Sequence, residues 1–363
     1  MSDAAAQAET HRFPCAQCGA QLRFAPGQRR LTCEYCGHEQ PIPFSDSDRD
    51  AALETHDLQT ALADRLPEAA MEETRVLNCQ NCGAQVEFDP NQHSSQCPFC
   101  ASPVVTDTGT HRHIKPAAVL PFRLTEAEAH EAMNRWLRGL WFAPSELKKY
   151  ARPDRKMDGL YVPYWAFDAF ARARYTGERG DAHYQTRRVG KKTQRVRQIR
   201  WRRVSGSVQR RFRDVLVMAA QSLPRRFTRG LEPWMLADLS PYDPQYLSGF
   251  RAEAYTVDLP DSHRIALERM EEILRQDVRR DIGGDEQRIT SLDTQLSDER
   301  FKHVLLPIWM AAYRYRGKSY RFIVNAQTGK VQGERPWSVW KIAGAVLAAL
   351  VAMAAFLILG EGF

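Results

Sequence analysis

The sequence has no cysteine beyond those in two short groups of identical spacing, which together hold all eight. No cysteine is left over to act as a catalytic nucleophile. The chain also lacks the G-x-S-x-G pattern that marks the nucleophile elbow of serine hydrolases. These absences argue against the commonest forms of covalent hydrolysis.

Two partial enzyme motifs each lack an essential residue. Before Gly317-Lys318-Ser319, Ala312 stands where a phosphate-binding loop needs its first glycine, and the residues that follow predict a strand instead of a helix. His130-Glu131 begins like a zinc-protease helix, but Asn134 replaces the second histidine. The sequence therefore predicts a non-enzymatic protein. The alternative is an active site assembled from residues that are distant in sequence.

What is present is a duplicated metal-binding pattern. Each group contains two C-x2-C pairs with 14 residues between them, and the second group follows the first by 64 residues. Four thiolates at this spacing can surround Zn²⁺ tetrahedrally, whereas disulfides or free structural cysteines are the alternative. The glycines after three of the cysteines suit tight knuckle turns, because glycine tolerates positive φ. We predict two structural Zn²⁺ ions, bound by Cys15, Cys18, Cys33, Cys36, Cys79, Cys82, Cys97 and Cys100.

Residues 342–360 form a run of 19 residues without a charge. At about 1.5 Å per residue, a helix of that length crosses a bilayer core. Basic Lys341 precedes the run and Glu361 follows it, which places the preceding domains in the cytoplasm. No signal peptide is recognisable at the N-terminus. We expect a tail-anchored, single-pass protein of the cytoplasmic membrane, with the lipid bilayer as one partner.

Between 172 and 213 the chain carries 15 Lys and Arg residues against two acidic residues. Such a stretch can bind phosphate groups of nucleic acid or of anionic lipid. The alternative is a set of solvated strand faces. The residues that we expect to form this anionic-surface site are Arg195, Arg197, Arg200, Arg202 and Arg203.

The pattern of elements predicts an α+β fold with mostly antiparallel strands. Thr125 and Glu128 form a capping box for one helix, and apolar residues at helical spacing predict another over 260–282. A turn is expected at 205–207. The predicted domains are a zinc ribbon at 13–44, a linker with a short helix at 45–76, a second ribbon at 77–106, an α+β domain at 107–336 and a transmembrane helix at 338–360.

Several phrases of the sequence occur together in one known family. They are Trp141–Pro144, Gly159–Ala169, Tyr175–Gly180, Leu231–Trp234, Tyr246–Tyr255, Arg279–Asp285 and Val324–Pro336. With the ribbons, they resemble a family of bacterial zinc-ribbon membrane proteins of the transcription-factor-IIB type. Members of this family are often labelled as similar to the primosomal replication-restart helicase. The helicase itself is not implied, because the chain lacks a Walker A loop and the length of two motor domains.

The resemblance implies a type of protein partner, but it assigns no catalytic residues and no reaction. Related proteins are similar to partners of stomatin/flotillin-type scaffolds, and some are linked with phage-shock envelope-stress systems. We therefore predict a membrane adaptor whose ribbons reach outward on a flexible linker to bind a protein. The alternative function is a membrane-tethered nucleic-acid-binding protein that uses its ribbons in replication or transcription. The oligomeric state does not follow from the sequence.

Overall fold

The computed structural model describes residues 13–45, 47, 50, 54–63, 65–67, 71–87, 97–100, 102, 108–141, 156–189, 192–315, 318–334 and 338–360. It describes the backbone alone at 73–75, 77, 87, 108–112, 187–189, 192–194, 312–315, 318–319, 339 and 355–360. The helices are α1 (Leu58–Leu62), α2 (Glu126–Arg138), α3 (Arg225–Leu231), α4 (Leu259–Ile282) and α5 (Val339–Gly360). The short strands are β1 (Leu22–Phe24), β2 (Arg30–Cys33), β3 (Glu39–Pro41), β4 (His56–Asp57), β5 (Met71–Asn78), β6 (Gln85–Glu87), β7 (Thr108–Ile114), β8 (Ala118–Val119), β11 (Ser240–Pro241), β12 (Arg251–Ala252), β14 (Lys318–Asn325) and β15 (Val331–Gly333). The long strands are β9 (Asp158–Val189), β10 (Lys192–Met218) and β13 (Glu286–Tyr315).

A nine-stranded sheet organises the molecule. Its main path runs β10-β9-β13-β14-β15, and β4, β8, β11 and β12 attach beside it. Two of the pairings, β12 with β9 and β8 with β13, are parallel, so the sheet is mixed. β9 alone has 32 residues, which at about 3.3 Å per residue makes a strand about 100 Å long. The three long strands therefore set the length of the protein.

Two similar sequence phrases meet at the centre of this sheet. Val162 pairs with Leu306 in the antiparallel register of β9 and β13. The neighbouring prolines, Pro163 and Pro307, lie one residue to either side of that pair. The two phrases, Val162–Trp165 and Leu306–Trp309, are thus related by a local two-fold arrangement around the pair.

The two longest helices of the main domain, α2 and α4, begin and end close to where the sequence predicts. Thr125 caps α2, accepting a hydrogen bond from the Glu128 amide while the Glu128 carboxylate bonds back, so the predicted capping box is confirmed. α4 ends at Gly283, whose φ of 65° stops the helix. The apolar side of α4 covers one face of the long strands.

The turn expected at 205–207 is wrong. β10 runs without interruption through Ser205, Gly206 and Ser207, which pair with Thr176, Tyr175 and Arg174 of β9. A side chain at Gly206 would collide with the ring of Tyr175, at 2.7 Å from its hydroxyl. Glycine at this position therefore serves close packing against an aromatic ring instead of a reversal of the chain.

The first ribbon (β1–β3) packs on the sheet. Its Leu22, Phe24 and Leu31 belong to the same buried cluster as Phe122 and Trp309 of the main domain. The segment that follows also joins the fold, because β4 pairs with β13 and buried Leu58 of α1 packs in the core. The expectation of ribbons reaching outward on a flexible linker is therefore wrong.

The predicted fold class is contradicted. The sheet is mixed, with two short parallel pairings beside its antiparallel ones. None of the helices in the described part of the chain combines the length and apolar character needed to cross a membrane. That finding contradicts the predicted transmembrane helix at 338–360, and with it the predicted tail anchor and the single-pass localisation in the cytoplasmic membrane. α5 occupies this stretch as a helix.

A buried histidine makes the stability of the core depend on pH. His303 is 3 % exposed, and its Nδ1 lies 2.9 Å from the Ile114 carbonyl oxygen. Burial lowers the pKa of His303 from 6.5 to about 3. Between pH 6.5 and about 3, His303 therefore binds a proton in the unfolded chain but stays neutral in the folded chain. The free energy of unfolding consequently falls as the pH falls through that window.

We expect His303→Gln to flatten the acid side of the stability profile. The lost slope is on the order of 1 kcal/mol per pH unit below about pH 6.5. Urea unfolding at a series of pH values measures it. Equal slopes for His303→Gln and wild type would show that His303 is protonated in the folded protein.

Candidate metal centres

The cysteines sit on backbone knuckles of one kind. In three of the four, the glycine after the second cysteine donates its amide to the carbonyl of the first: Gly19 to Cys15, Gly37 to Cys33 and Gly83 to Cys79. These glycines have φ values of 76°, 72° and 71°, as the sequence predicts. The fourth knuckle has no such glycine, and it is closed by a hydrogen bond from the Cys97 amide to the Ser102 carbonyl at 2.8 Å.

Each set of knuckles gathers four sulfur atoms. In the first, Sγ of Cys15 lies 3.5 Å from Sγ of Cys36, and in the second, Sγ of Cys79 lies 3.6 Å from Sγ of Cys100. All four sulfurs of each group lie within 4.8 Å of one another. Disulfides need about 2.0 Å between sulfurs, whereas tetrahedral zinc with bonds of 2.3 Å needs about 3.8 Å. Both groups could therefore hold a metal ion, and the chemistry of four thiolates fits zinc.

Two thiols of the second group have pKa values shifted in opposite directions. A hydrogen bond with Cys97 lowers the pKa of Cys82 to about 5, and the same contact raises the pKa of Cys97. Such pairing arises where thiols are crowded without room for four negative charges. A divalent cation resolves that crowding, because it binds thiolates and displaces their protons.

The two groups differ in exposure at one equivalent position. The first group reads Cys33-Glu34-Tyr35-Cys36 and the second Cys97-Pro98-Phe99-Cys100. Tyr35 is 85 % exposed, whereas Phe99 is 0 % exposed. Cys18 and Cys36 are exposed as well, while every cysteine of the second group is buried or intermediate. The Tyr35 knuckle of the first group therefore faces solvent, and its counterpart in the second group is inserted into the protein.

The second group is joined to the central sheet by a short segment. Arg251 and Ala252 form β12 beside β9, and the Ala254 amide then donates to the Gln85 carbonyl of β6 at 2.9 Å. Phe99 and the buried cysteines share an apolar cluster with Leu160 and other residues of the central strands. This metal centre consequently forms part of the main core.

The arginines of the first ribbon are engaged locally. Arg23 pairs with Glu34 at 3.0 Å, and Arg30 pairs with Glu39 at 2.5 Å. The guanidinium of Arg29 lies 3.7 Å from the centre of the Phe44 ring. The ribbon therefore presents compensated charges around an exposed tyrosine.

The predicted anionic-surface residues lie on β10, and their side chains alternate between its two faces. Arg195, Arg197 and Arg203 share one face, and Arg200 and Arg202 point to the other. All five are exposed, which does not by itself test their role. Arg197 pairs with Glu286 of β13 at 3.1 Å, and Arg202 lies 3.6 Å from Asp181 of β9.

Sequence reasoning missed Tyr35 and the buried Lys302. A comparison of the two cassettes position by position would have shown that only one carries a polar aromatic residue between its last cysteines. Lys302 gives no such signal, because its burial depends on the pairing of three distant strands. Among the described residues, the two cysteine groups are the only places where three or more side chains could hold one metal ion.

These features define the class: a mixed-sheet protein with two four-cysteine centres compatible with zinc ribbons. The chain is similar to a Bacillus subtilis (strain 168) protein described as uncharacterized protein YdjG, with 24 % identity over 340 residues, 91 % of this chain and 92 % of that protein. No protein-family model and no solved structure matches the chain.

Proposed function

We propose that this protein is a non-enzymatic adaptor that binds a partner protein through the exposed knuckle of its first zinc ribbon. The observation that carries the proposal is Tyr35, which is 85 % exposed beside a metal centre. Tyrosine is enriched among the residues that anchor protein interfaces, because it offers a large rigid surface and one polar group. The knuckle holds its backbone fixed, which lowers the entropy cost of binding.

The role proposed for zinc is structural. Four thiolates complete a tetrahedral coordination sphere and leave no position for a substrate or an activated water. The two ribbons have different roles in this proposal. The first presents Tyr35, and the second, with Phe99 buried, holds the sheet together. The repeated cysteine pattern suggests two docking surfaces, one on each ribbon. In this proposal only the first ribbon has one.

For the partner we propose a scaffold protein of the stomatin/flotillin type, which is the class that the sequence resemblance implies. The surroundings of Tyr35 suit a protein interface, with the Arg23–Glu34 ion pair as a polar rim. The link with envelope-stress systems belongs to the same proposal.

The alternative is nucleic-acid binding through the ribbons. The described residues favour it less, because the ribbon arginines Arg23 and Arg30 are neutralised by glutamates and Arg29 is stacked on Phe44. The second ribbon also carries acidic Glu87 on β6. A phosphate backbone would have to break these contacts before it gained new ones.

Tyr35→Ala is expected to weaken binding of a stomatin/flotillin-type protein from the same organism by about tenfold or more, as for a truncated interface anchor. Zinc content and thermal stability stay at wild-type values, because the side chain makes no buried contact. Titration with the purified partner measures the affinity. Tyr184→Ala, which removes an exposed tyrosine elsewhere, is the matched control and leaves the affinity unchanged.

A photo-reactive amino acid at position 35 provides a direct check. Crosslinking to the scaffold protein from position 35 and not from position 184 supports the proposal. Wild-type affinity for Tyr35→Ala, with crosslinks absent at position 35, would remove the knuckle as the docking surface.

A further inference from the structure

Over the outer part of the long strands, from about residue 171 of β9 onward, the described residues leave one face uncovered. Along β9, Ala171, Ala173 and Tyr175 are buried against α4, while the alternating Arg172 and Arg174 are exposed on the opposite side. β10 and β13 continue this alternation in register with β9. We refer to the uncovered side as the open face. It carries Arg172, Arg174, Tyr184, Trp201, Arg203 and Arg288.

Arginines and aromatic rings are paired on the open face. The guanidinium of Arg288 lies 3.9 Å from the centre of the Trp201 ring, and that of Arg195 lies 5.4 Å from the centre of the Tyr184 ring. Tyr184 is 61 % exposed. Gly180 lies beneath Trp201, where a side chain would meet the indole at 3.0 Å. The glycine thus lets the tryptophan ring lie close to the sheet.

Acidic residues on this face neutralise only part of its charge. Glu178 lies 3.6 Å from Arg288, and Glu286 lies 3.1 Å from Arg197. Asp293 is opposite Arg174 in the register of β13 and β9 but forms no ion pair with it within 4 Å. Among the described arginines of the open face, those without an acidic side chain within ion-pair distance are Arg172, Arg174, Arg195 and Arg203.

We propose that the open face binds single-stranded nucleic acid. Sheet faces with exposed aromatic rings accept unpaired bases by stacking, while neighbouring arginines bind the phosphates. Uncompensated arginines supply the charge, Tyr184 supplies an exposed ring, and the Arg288 guanidinium over Trp201 supplies a second plane for stacking. Duplex nucleic acid fits less well, because its bases are stacked inside and cannot reach the rings. An acidic protein would use the charges and leave the rings without a role.

This inference goes beyond the adaptor function, because its residues are separate from the Tyr35 knuckle. The adaptor proposal and the nucleic-acid proposal can therefore be tested independently. Tyr35→Ala should not alter nucleic-acid affinity, and substitutions on the open face should not alter affinity for a protein partner.

The test is fluorescence anisotropy of a labelled oligo(dT) 12-mer with the full-length protein over a range of salt concentrations. Arg172→Gln with Arg174→Gln is expected to reduce the slope of log affinity against log salt by about 1.4, from roughly 0.7 per lost phosphate contact. Tyr184→Ala should weaken binding about tenfold, and Tyr184→Phe should restore it, because stacking needs the ring and not the hydroxyl.

Arg264→Gln with Arg275→Gln provides the matched control, since it removes two exposed arginines from α4. Far-UV circular dichroism verifies the fold of every variant. The proposal is overturned if a duplex of the same length or polyglutamate binds as tightly as oligo(dT). It is also overturned if the open-face variants bind like the α4 control.

Discussion

Replacing Cys97 and Cys100 with serine is expected to unfold the central sheet as well as the ribbon that contains them. Cys97 is 2 % exposed and lies in the same apolar cluster as Val162 and Leu306. Structural zinc contributes on the order of 10 kcal/mol in small domains, which is comparable to the whole stability of a typical protein. Circular dichroism should show a melting temperature far below that of the wild type, or insoluble protein.

The matched variant carries Cys18→Ser and Cys36→Ser in the first group. Both of these cysteines are exposed, so their loss should release one metal ion and loosen the first ribbon while the sheet stays folded. The expected order of melting temperature is wild type, then the first-group variant, then the second-group variant. Equal melting temperatures for the two variants would contradict the division of roles between the metal centres.

A second large effect is expected from Lys302→Met. The Lys302 side chain is 4 % exposed, and its Nζ lies 2.8 Å from Oδ1 of Asp214. The Asp214 amide donates to the Asp168 carboxylate at 2.7 Å, and burial raises the pKa of Asp168. Methionine keeps the length of the side chain but leaves the two aspartates without a cation. Breaking a buried ion pair in this way costs about 3–5 kcal/mol, measured by urea unfolding at pH 7.

The control for this variant is Lys115→Met, an exposed lysine whose loss should change stability by less than about 0.5 kcal/mol. Adding Asp214→Asn to Lys302→Met should recover part of the lost stability, because the uncompensated charge is removed. A neutral effect of Lys302→Met, or a double variant less stable than expected from the sum of the two singles, would show that the pair does not stabilise the sheet.

Local signals in the sequence predict local structure well. The knuckle glycines, the capping box at Thr125 and the end of α4 at Gly283 follow from backbone preferences of individual residues, and each is confirmed. The four-cysteine groups follow from spacing, because ligands close in sequence need little help from the rest of the fold.

Long-range packing is not visible in the same signals. Gly206 looks like a turn residue, yet it lies within a strand because Tyr175 of the neighbouring strand needs the space. Burial of Phe99 depends on contacts with strands more than 50 residues later in the chain. The uncharged run at 342–360 predicts a membrane helix by hydropathy alone, and the described part of the structure contradicts that prediction.

Hydrogen–deuterium exchange during stepwise removal of zinc with a chelator tests the account most directly. The exposed first centre should lose its metal first, with faster exchange confined to residues 13–44. Loss of the second metal should then accelerate exchange in β9, β13 and residues 251–254. Loss of the second metal without any change of exchange in the sheet would contradict the claim that this centre is part of the core.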